Sequence, residues 1–173
     1  MLFRRNNRIL IGIALFTVVF GASNSLKAQD FTKSQNKLKS IFIYNFLKYV
    51  EWPKYSSADV VKICLVGEGD IYSELNNLAQ TKKIQNRKVQ ISKIESLSEC
   101  TSCDLVFINE NTQGVKRPGG CNTFIVTDNN FEEGISNINL KYNADGRLGF
   151  EINSGLCEDN GYKVSSALKS LAF

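Results

Sequence analysis

Cys100 and Cys103 form a CxxC pattern, the spacing that thiol–disulfide enzymes use for redox chemistry. In those enzymes the motif opens a helix, and the helix N-terminus stabilises the reactive thiolate. Here the motif directly precedes the apolar run at 104–108, which predicts a β-strand, so no helix dipole points at either sulfur. A structural role for both cysteines is therefore favoured, and a periplasmic thiol–disulfide redox protein using Cys100 and Cys103 is the alternative.

The chain of 173 residues contains no histidine. This absence removes the commonest general base, the Ser-His and Cys-His nucleophile pairs and every metal site that uses histidine. The glycine-containing segment at 67–72 partly imitates a dinucleotide-binding loop, but Tyr72 stands where the third glycine should be, and Glu68 and Asp70 would repel a pyrophosphate. We therefore predict that the protein is not an enzyme and has no catalytic residues, no cofactor and no metal.

Four polar residues follow predicted strands and are expected at one rim of the sheet. They are Glu68, Asp70, Asn109 and Asp128. Ligands of open α/β sheets bind outside the carboxyl ends of the strands. A small polar or cationic ligand at this rim is one interpretation, which makes a small-ligand binding protein a further alternative; solvated capping residues are the other.

Strand and helix patterns alternate along the chain after residue 35. Apolar and β-branched runs predict strands at 60–66, 88–94, 104–108, 124–126, 138–142 and 148–152. Helical spacing and capping residues predict helices at 36–50, 71–79, 153–160 and 165–171, whereas residues 29–35 are polar and expected to be loose. This order is typical of an α/β fold. We predict a single domain with a central mixed, mostly parallel sheet of about six strands flanked by helices, ending in a C-terminal antiparallel hairpin.

Residues 1–28 have the features of an export signal. Arg4, Arg5 and Arg8 precede an apolar run at 9–22, and cleavage is expected after Ala28; an uncleaved membrane anchor is the alternative. Cleavage removes four of the 21 basic residues and none of the 17 acidic ones, so the domain at 29–173 carries no net charge. A neutral domain offers no electrostatic footprint for nucleic acid or for direct membrane binding. Five cysteines in an oxidising compartment indicate disulfides.

The segment FIYNFLKYVEWP at 42–53 is unusually apolar, since nine of its twelve residues are apolar or aromatic. A helix with so wide an apolar surface needs cover on two sides, one from its own sheet and one from elsewhere. Either it is a well-buried core helix, or its second side meets a partner subunit. Under the second interpretation the partner or dimer interface contains Phe42, Tyr44, Asn45, Phe46, Tyr49 and Trp52.

This segment resembles the opening signature of the YfiR family of small periplasmic regulatory proteins. Three later stretches agree in order and spacing: ICLVG at 63–67, CDLVFI at 103–108, and GRLGFEIN at 146–153 followed by VSSALKSLA at 164–172. The resemblance covers nearly the whole chain after residue 35. One departure is the connection at 109–120, which is short and rich in turn-forming residues where relatives usually have a helix.

The resemblance implies a disulfide between Cys64 and Cys103, which lie on neighbouring strands if the sheet has the expected order. The family's second bridge is absent, because this sequence has no cysteine near the fifth strand. Cys100 and Cys121 instead lie just ahead of the third and fourth predicted strands, and we expect them to pair with each other. Cys157 is expected to be a small buried residue.

The GRLGFEIN stretch contributes three polar residues to which we assign structural roles, Arg147, Glu151 and Asn153. Glu151 alternates with apolar neighbours and needs a cationic partner, for which Arg147 and Lys48 are the candidates. Asn153 or the neighbouring Ser154 is expected to cap a helix.

By the same resemblance, the protein is expected to be a periplasmic homodimer that binds and restrains a membrane-bound signalling partner similar to a diguanylate cyclase. It would thereby act as a repressor in cyclic-di-GMP signalling and biofilm formation. Its disulfides would hold the shape that the partner recognises, so reduction is expected to release the restraint.

Overall fold

A computed structural model describes residues 31–53, 59–110, 112, 114–129 and 134–173. By its internal contacts the chain divides into two units, Met1–Asn36 and Lys37–Phe173. Of the first unit only residues 31–36 are described, and they are helical. The predicted export signal at 1–28 lies outside the described residues.

The second unit contains four α-helices, one 3₁₀-helix and eight strands among its described residues. Helix α1 covers residues 37–49 of this unit. The other helices are α2 (Ile71–Thr81), α3 (Ser154–Asp159) and α4 (Ser166–Lys169), and a 3₁₀-helix covers Leu97–Ser102. The strands are β1 (Val50–Glu51), β2 (Val60–Val66), β3 (Lys88–Ile94), β4 (Leu105–Ile108), β5 (Phe124–Asp128), β6 (Ile138–Tyr142), β7 (Leu148–Ile152) and β8 (Lys163–Val164).

Six of the strands form one sheet in the order β3-β2-β4-β5-β6-β7. All neighbours from β3 to β6 are parallel, and β7 pairs antiparallel with β6 through the turn at 143–147. The predicted α/β fold with a mixed, mostly parallel sheet and a C-terminal antiparallel pair is therefore confirmed. Every residue of β4 and β5 is buried, as the central strands of a parallel sheet require.

The two faces of this sheet have different cover, because successive side chains of a strand point to opposite faces. On the first face, every α-helix of the second unit contributes to one apolar cluster, through Ile43, Ile71, Cys157 and Leu168 among others. On the second face, the cluster consists of strand residues together with residues of the 3₁₀-helix and loops. Four of its members are cysteines: Cys64, Cys100, Cys103 and Cys121.

Several boundaries differ from the sequence-based prediction by one or two residues, and the largest difference lies at the start of the first helix. Residues 31–35, expected to be loose, are helical, and Val50 belongs to β1 instead of the first helix. β1 pairs with β8 in a separate two-stranded sheet, with Val50 opposite Val164. Strands of two residues are too short to show any periodicity, so the sequence could not indicate them.

The described residues between β4 and β5 contain no helix, in agreement with the turn-rich sequence of this connection. Arg117 fixes the connection instead. Its guanidinium donates hydrogen bonds to the carbonyl oxygens of Ile135 (3.0 Å), Cys121 (2.7 Å) and Thr123 (3.1 Å), and to Oδ1 of Asn137 (2.8 Å). One planar group with five donors can satisfy several carbonyls of irregular backbone at once.

Candidate functional site

Two disulfides connect the second face of the sheet. Cys64 of β2 is bonded to Cys103, just before β4, with a Cα–Cα distance of 6.0 Å. Cys100 is bonded to Cys121, ahead of β5, with a Cα–Cα distance of 6.3 Å. Both pairings are the ones that the sequence analysis expected. Cys157 is free and buried, and burial raises the pKa of its thiol, which disfavours the reactive thiolate.

The CxxC motif does not have the arrangement of a thiol–disulfide enzyme. Cys100 and Cys103 are bonded to two different cysteines, and not to each other. They lie at the C-terminal end of the 3₁₀-helix, which the sequence analysis did not predict, and the backbone N–H of Cys103 donates to the carbonyl of Cys100 (3.0 Å). A helix C-terminus carries partial negative charge and would destabilise a thiolate. Redox catalysis is therefore not favoured.

Helix α1 turns one side towards the core of its own molecule. Ile43, Phe46 and Leu47 are at most 1% exposed, and the rings of Phe46 and Phe150 lie 5.0 Å apart in an edge-on arrangement. The expectation that Phe46 belongs to a partner interface is therefore wrong. The sequence could not show which large residues point inwards, because nine of the twelve residues at 42–53 are apolar or aromatic.

The opposite side of α1 is exposed. Leu38, Ile41 and Tyr49 retain 43%, 41% and 40% of their surface, which is high for large apolar side chains. We call this surface the outer face of α1; its exposed residues are Lys37, Leu38, Ile41, Asn45, Lys48 and Tyr49. Of the six predicted interface residues, only Asn45 and Tyr49 lie on it.

The remaining three predicted interface residues are half-buried against their own molecule. Phe42 packs on Phe150, with ring centroids 5.7 Å apart. Trp52 packs on Phe124 and Tyr162 at 5.4 and 5.3 Å, and its indole N–H donates to the carbonyl of Leu47. Tyr44 packs against the same core. These contacts fix the helix to the sheet and leave the outer face as the surface available to another molecule.

A buried ion pair fastens α1 to the carboxyl ends of the strands. Nζ of Lys39 lies 2.6 Å from Oδ2 of Asp128, the last residue of β5, and both side chains are less than one-tenth exposed. The same ammonium lies 5.7 Å from the centre of the Tyr142 ring. The other carboxylate oxygen of Asp128 is buried without a hydrogen-bond partner among the described residues. The sequence did not predict this ion pair, because no pattern around Lys39 indicates that its side chain points into the protein.

The predicted rim residues do not form one site. Asp128 is buried and paired with Lys39, so the expectation that it faces a ligand is wrong. Asn109 donates to the carbonyl oxygens of Val66 and Gly67, both at 3.2 Å, and so closes the end of β2. Glu68 is fully exposed and 4.0 Å from Lys93, and Asp70 precedes α2 without a side-chain capping bond. The four side chains have separate surroundings, and only Asn109 caps the end of a strand, so this arrangement does not support a ligand site at the rim.

The three polar residues in and beside β7 make contacts within the fold. Glu151 pairs with Lys141 of the adjacent strand, and not with Arg147 or Lys48 as expected. Lys141 lies diagonally across from Glu151 in the antiparallel register, where side chains of one face meet. Arg147 is exposed in the turn, and its backbone N–H donates to Oδ1 of Asn143. Asn153 caps α3 by accepting a hydrogen bond from Leu156 N.

A cavity of about 280 Å³ lies at the amino ends of the strands. Trp52, Pro53 and Tyr162 form one wall, and residues around both disulfides form the other. The Tyr162 hydroxyl donates to the carbonyl of Asn122, and Thr123 donates to that of Cys100. Much of the polar lining is thus already used in hydrogen bonds of the fold.

The buried hydroxyl of Tyr44 gives a testable prediction about stability. Its hydroxyl has no hydrogen-bond partner among the described residues, and burial raises the pKa of Tyr44 to about 12. We expect Tyr44→Phe to leave the free energy of unfolding unchanged or raise it by about 1 kcal/mol, because an unpaired buried polar group is removed. Urea denaturation measures this, with Tyr49→Phe, an exposed hydroxyl, as the control.

The same residue predicts a pH dependence. The unfolded chain releases the Tyr44 proton at its ordinary pKa of 10.0 and the folded chain only at about 12, so this contribution to stability is lost as the pH rises through that interval. Tyr44→Phe should therefore lose less stability than the wild type between about pH 9 and pH 11. A variant that is more sensitive to alkali, or clearly less stable at neutral pH, would contradict the assignment.

Two features are absent from the described residues. None of their helices has the length and apolar character needed to cross a membrane. Within the same residues, no three Cys, Asp or Glu side chains are grouped so that they could hold a metal ion.

Comparison with known proteins assigns the chain to a family. No curated protein is significantly similar to it. The model of the YfiR/HmsC-like family matches residues 36–173, which include the whole sheet, all its helices and both disulfides. This family is a regulatory rather than a catalytic one, and the match suggests a periplasmic regulator of cyclic-di-GMP signalling. The chain therefore belongs to the YfiR/HmsC-like family.

Proposed function

We propose that this protein is a non-enzymatic periplasmic regulator that binds and restrains a membrane-bound signalling protein similar to a diguanylate cyclase. Binding would lower cyclic-di-GMP production and so influence biofilm formation. Family membership supports the signalling pathway. The observation that carries the binding role is the outer face of α1, where three large apolar side chains stay about 40% exposed on an otherwise well-packed helix.

The packing beneath α1 explains how this face could act as a rigid docking surface. Phe46 is fixed in the core, Lys39 is held by Asp128, and the backbone N–H of Ser165 donates to the carbonyl of Tyr49 at the helix end (3.1 Å). A helix held at both ends loses little conformational entropy when a partner binds. The proposed restraint is therefore steric: a fixed apolar helix face occupies the partner's regulatory region.

Location and assembly belong to the same proposal. Export through a cleaved signal at 1–28 would place the domain in the periplasm, where both disulfides can form. Homodimerisation is implied by the family resemblance. The partner would then be reached from the periplasmic side of the inner membrane, with no direct binding of this protein to lipid or nucleic acid.

Substitution on the outer face tests the binding role. We expect Ile41→Asp to reduce capture of the diguanylate cyclase encoded nearest to this gene by at least about tenfold and to raise cellular cyclic-di-GMP, because a carboxylate would be buried in an apolar contact. Asn77→Asp adds the same charge on the exposed side of α2 and should have no effect. Unchanged capture by Ile41→Asp would refute the role of this face.

The redox part of the proposal has its own test. Capture of the cyclase should fall when both disulfides are reduced, because they hold the second face of the sheet together. Cys157→Ala, which removes the free thiol, is the control and should respond to reductant like the wild type. Equal capture with and without reductant would remove disulfide dependence from the proposed function while leaving partner binding intact.

A small-ligand binding protein is the second candidate, and the cavity beside Trp52 and Tyr162 favours it. A ligand there would contact both the aromatic residues and the loops that carry the disulfides. A thermal-shift screen with Trp52→Ala as the comparison would detect it: a stabilising ligand must lose its effect in that variant. The few unused polar groups in the cavity make this the weaker candidate.

A further inference from the structure

The outer face of α1 is basic as well as apolar. Lys37 and Lys48 are both exposed, and residues 37–49 contain no aspartate or glutamate. At 3.6 residues per turn, these two lysines lie about 20° apart around the helix axis and therefore form one edge of the face. The next acidic residue along the chain, Glu51, lies opposite Lys163 in the β1–β8 pair. The basic edge therefore has no carboxylate on its own helix.

The apolar residues form a row beside this edge. Leu38, Ile41, Asn45 and Tyr49 follow the three- and four-residue spacing with which two helices pack along a seam. Asn45 interrupts the row at its centre, and a single polar residue in such a seam fixes the register of the partner. Nζ of Lys48 lies 5.1 Å from the centre of the Tyr49 ring, which holds this charge next to the row.

These charges argue against a second copy of the chain as the occupant. In an antiparallel pair of α1 helices that places Leu38 opposite Tyr49, Lys37 of each copy comes close to Lys48 of the other. In a parallel pair the lysine edge of each helix faces the opposite edge of the other, where residues 37–49 supply no aspartate or glutamate. The antiparallel arrangement therefore opposes association by like-charge repulsion, and the parallel one leaves the lysines without a carboxylate from the second helix. The geometry fits a partner whose charges are negative.

We propose that the outer face of α1 binds an amphipathic helix of another protein, one that carries acidic side chains along one edge of its apolar row. This inference rests on the proposed function and specifies the partner's recognition element. Carboxylates on that edge would face Lys37 and Lys48, while the apolar row would cover Leu38, Ile41 and Tyr49. The lysines determine which partner is selected and how its helix is oriented, and the apolar row supplies most of the binding affinity.

Two synthetic helical peptides test the inference. Both carry the same leucine row at seam spacing; one has glutamates and the other lysines at the flanking positions. Fluorescence anisotropy at low ionic strength should show that the purified protein binds the glutamate peptide about tenfold more tightly than the lysine peptide. The difference should shrink in 0.5 M salt (an experimental condition, about a 4 Å screening length). Lys37→Glu/Lys48→Glu should reverse the preference.

Matched variants separate charge from hydrophobicity. Lys82→Glu/Lys83→Glu makes the same charge change at exposed positions beyond α2 and should keep the preference for the glutamate peptide. Leu38→Ser/Ile41→Ser should weaken both peptides alike. Circular dichroism of each variant establishes that it is folded before binding is measured.

Three results would overturn the inference. The first is equal affinity for both peptides or binding of neither, and the second is a preference that survives reversal of Lys37 and Lys48. The third is a wild-type dimer that Ile41→Asp dissociates, since a second copy would then cover the face. The proposed function fails differently: it fails if Ile41→Asp leaves cyclase capture unchanged. If that variant abolishes capture while charge reversal has no effect, partner binding stands and the acidic helix does not.

Discussion

Replacing Lys39 with methionine is expected to lower the free energy of unfolding by about 3–5 kcal/mol, because it leaves a buried carboxylate without its counter-ion. Nζ of Lys39 is 2.6 Å from Oδ2 of Asp128, and the two side chains are 7% and 6% exposed. The other oxygen of Asp128 already has no hydrogen-bond partner among the described residues, so the carboxylate depends on the lysine for its compensation. Urea denaturation at neutral pH measures the loss.

A double substitution distinguishes a broken pair from a packing defect. Lys39→Met/Asp128→Leu removes both charges and should recover most of the stability lost in Lys39→Met, since replacing a whole buried pair by apolar residues is often neutral. Lys37→Met, which removes an exposed lysine from the same helix, should change the free energy of unfolding by less than about 0.5 kcal/mol. If the double variant loses as much stability as Lys39→Met and Asp128→Leu lose together as single variants, the broken ion pair is not the cause of the instability.

The ion pair also predicts how stability responds to alkali. Burial acts to lower the pKa of Lys39, but its hydrogen bond to Asp128 and the charge of that carboxylate outweigh burial, so its pKa lies above the ordinary 10.5. A raised folded-state pKa means that the contribution is complete below pH 10.5 and is lost as the pH rises through the folded-state value. In that alkaline range, the stability difference between the wild type and Lys39→Met/Asp128→Leu should shift against the wild type. Burial also raises the pKa of Asp128, so a separate change is expected at acidic pH.

Removal of the Cys64–Cys103 disulfide is expected to cost about 4 kcal/mol by the loop-entropy relation, because the bridge closes a loop with a sequence separation of 39. The Cys100–Cys121 bridge, with a separation of 21, should cost about 3 kcal/mol. Cys64→Ala/Cys103→Ala and Cys100→Ala/Cys121→Ala, compared by urea denaturation under oxidising conditions, measure the two separately. Each pair must be changed together, so that no unpaired thiol besides the buried Cys157 is left to exchange with the other bridge.

The response to reductant provides the control. Cys157→Ala keeps both bridges and should lose as much stability on reduction as the wild type. The variant lacking all four bridged cysteines should be insensitive to reductant. Wild-type protein that unfolds at the same urea concentration with and without reductant would show that the bridges do not stabilise this fold.

Local sequence patterns were sufficient for the main elements of the fold. Val60–Val66 carries the β-branched run of a buried strand, and Lys88–Ile94 carries the alternation of a more exposed one; the bounds of both agree with the prediction. The 3₁₀-helix at Leu97–Ser102 was not predicted because six residues are too few to show an apolar period. The clamp formed by Arg117 was missed because its partners are backbone carbonyls, which no sequence pattern reveals.

The interaction surface was predicted less well than the fold. The sequence located the correct helix, but it could not divide the apolar residues of α1 between core and surface. Phe46 lies inside and Ile41 outside, and both are apolar. The partner of Glu151 could have been found: the turn at 143–146 fixes the hairpin register, which places Lys141 diagonally across from it. Lys39 and Asp128 are 89 positions apart, a separation at which pairing cannot be read from spacing.

The uneven cover of the sheet has a consequence for how the protein matures. All α-helices of the unit Lys37–Phe173 pack on one face, while the other is closed by loops that two cystines hold in place. A freshly translocated chain with reduced thiols lacks those covalent links, so its second apolar layer is poorly secured against water and proteases. The supply of competent protein would then follow the capacity of the cell's oxidative folding catalysts. A shortage of oxidant would then lower the amount of folded regulator, without reduction of the disulfides in molecules that had already folded.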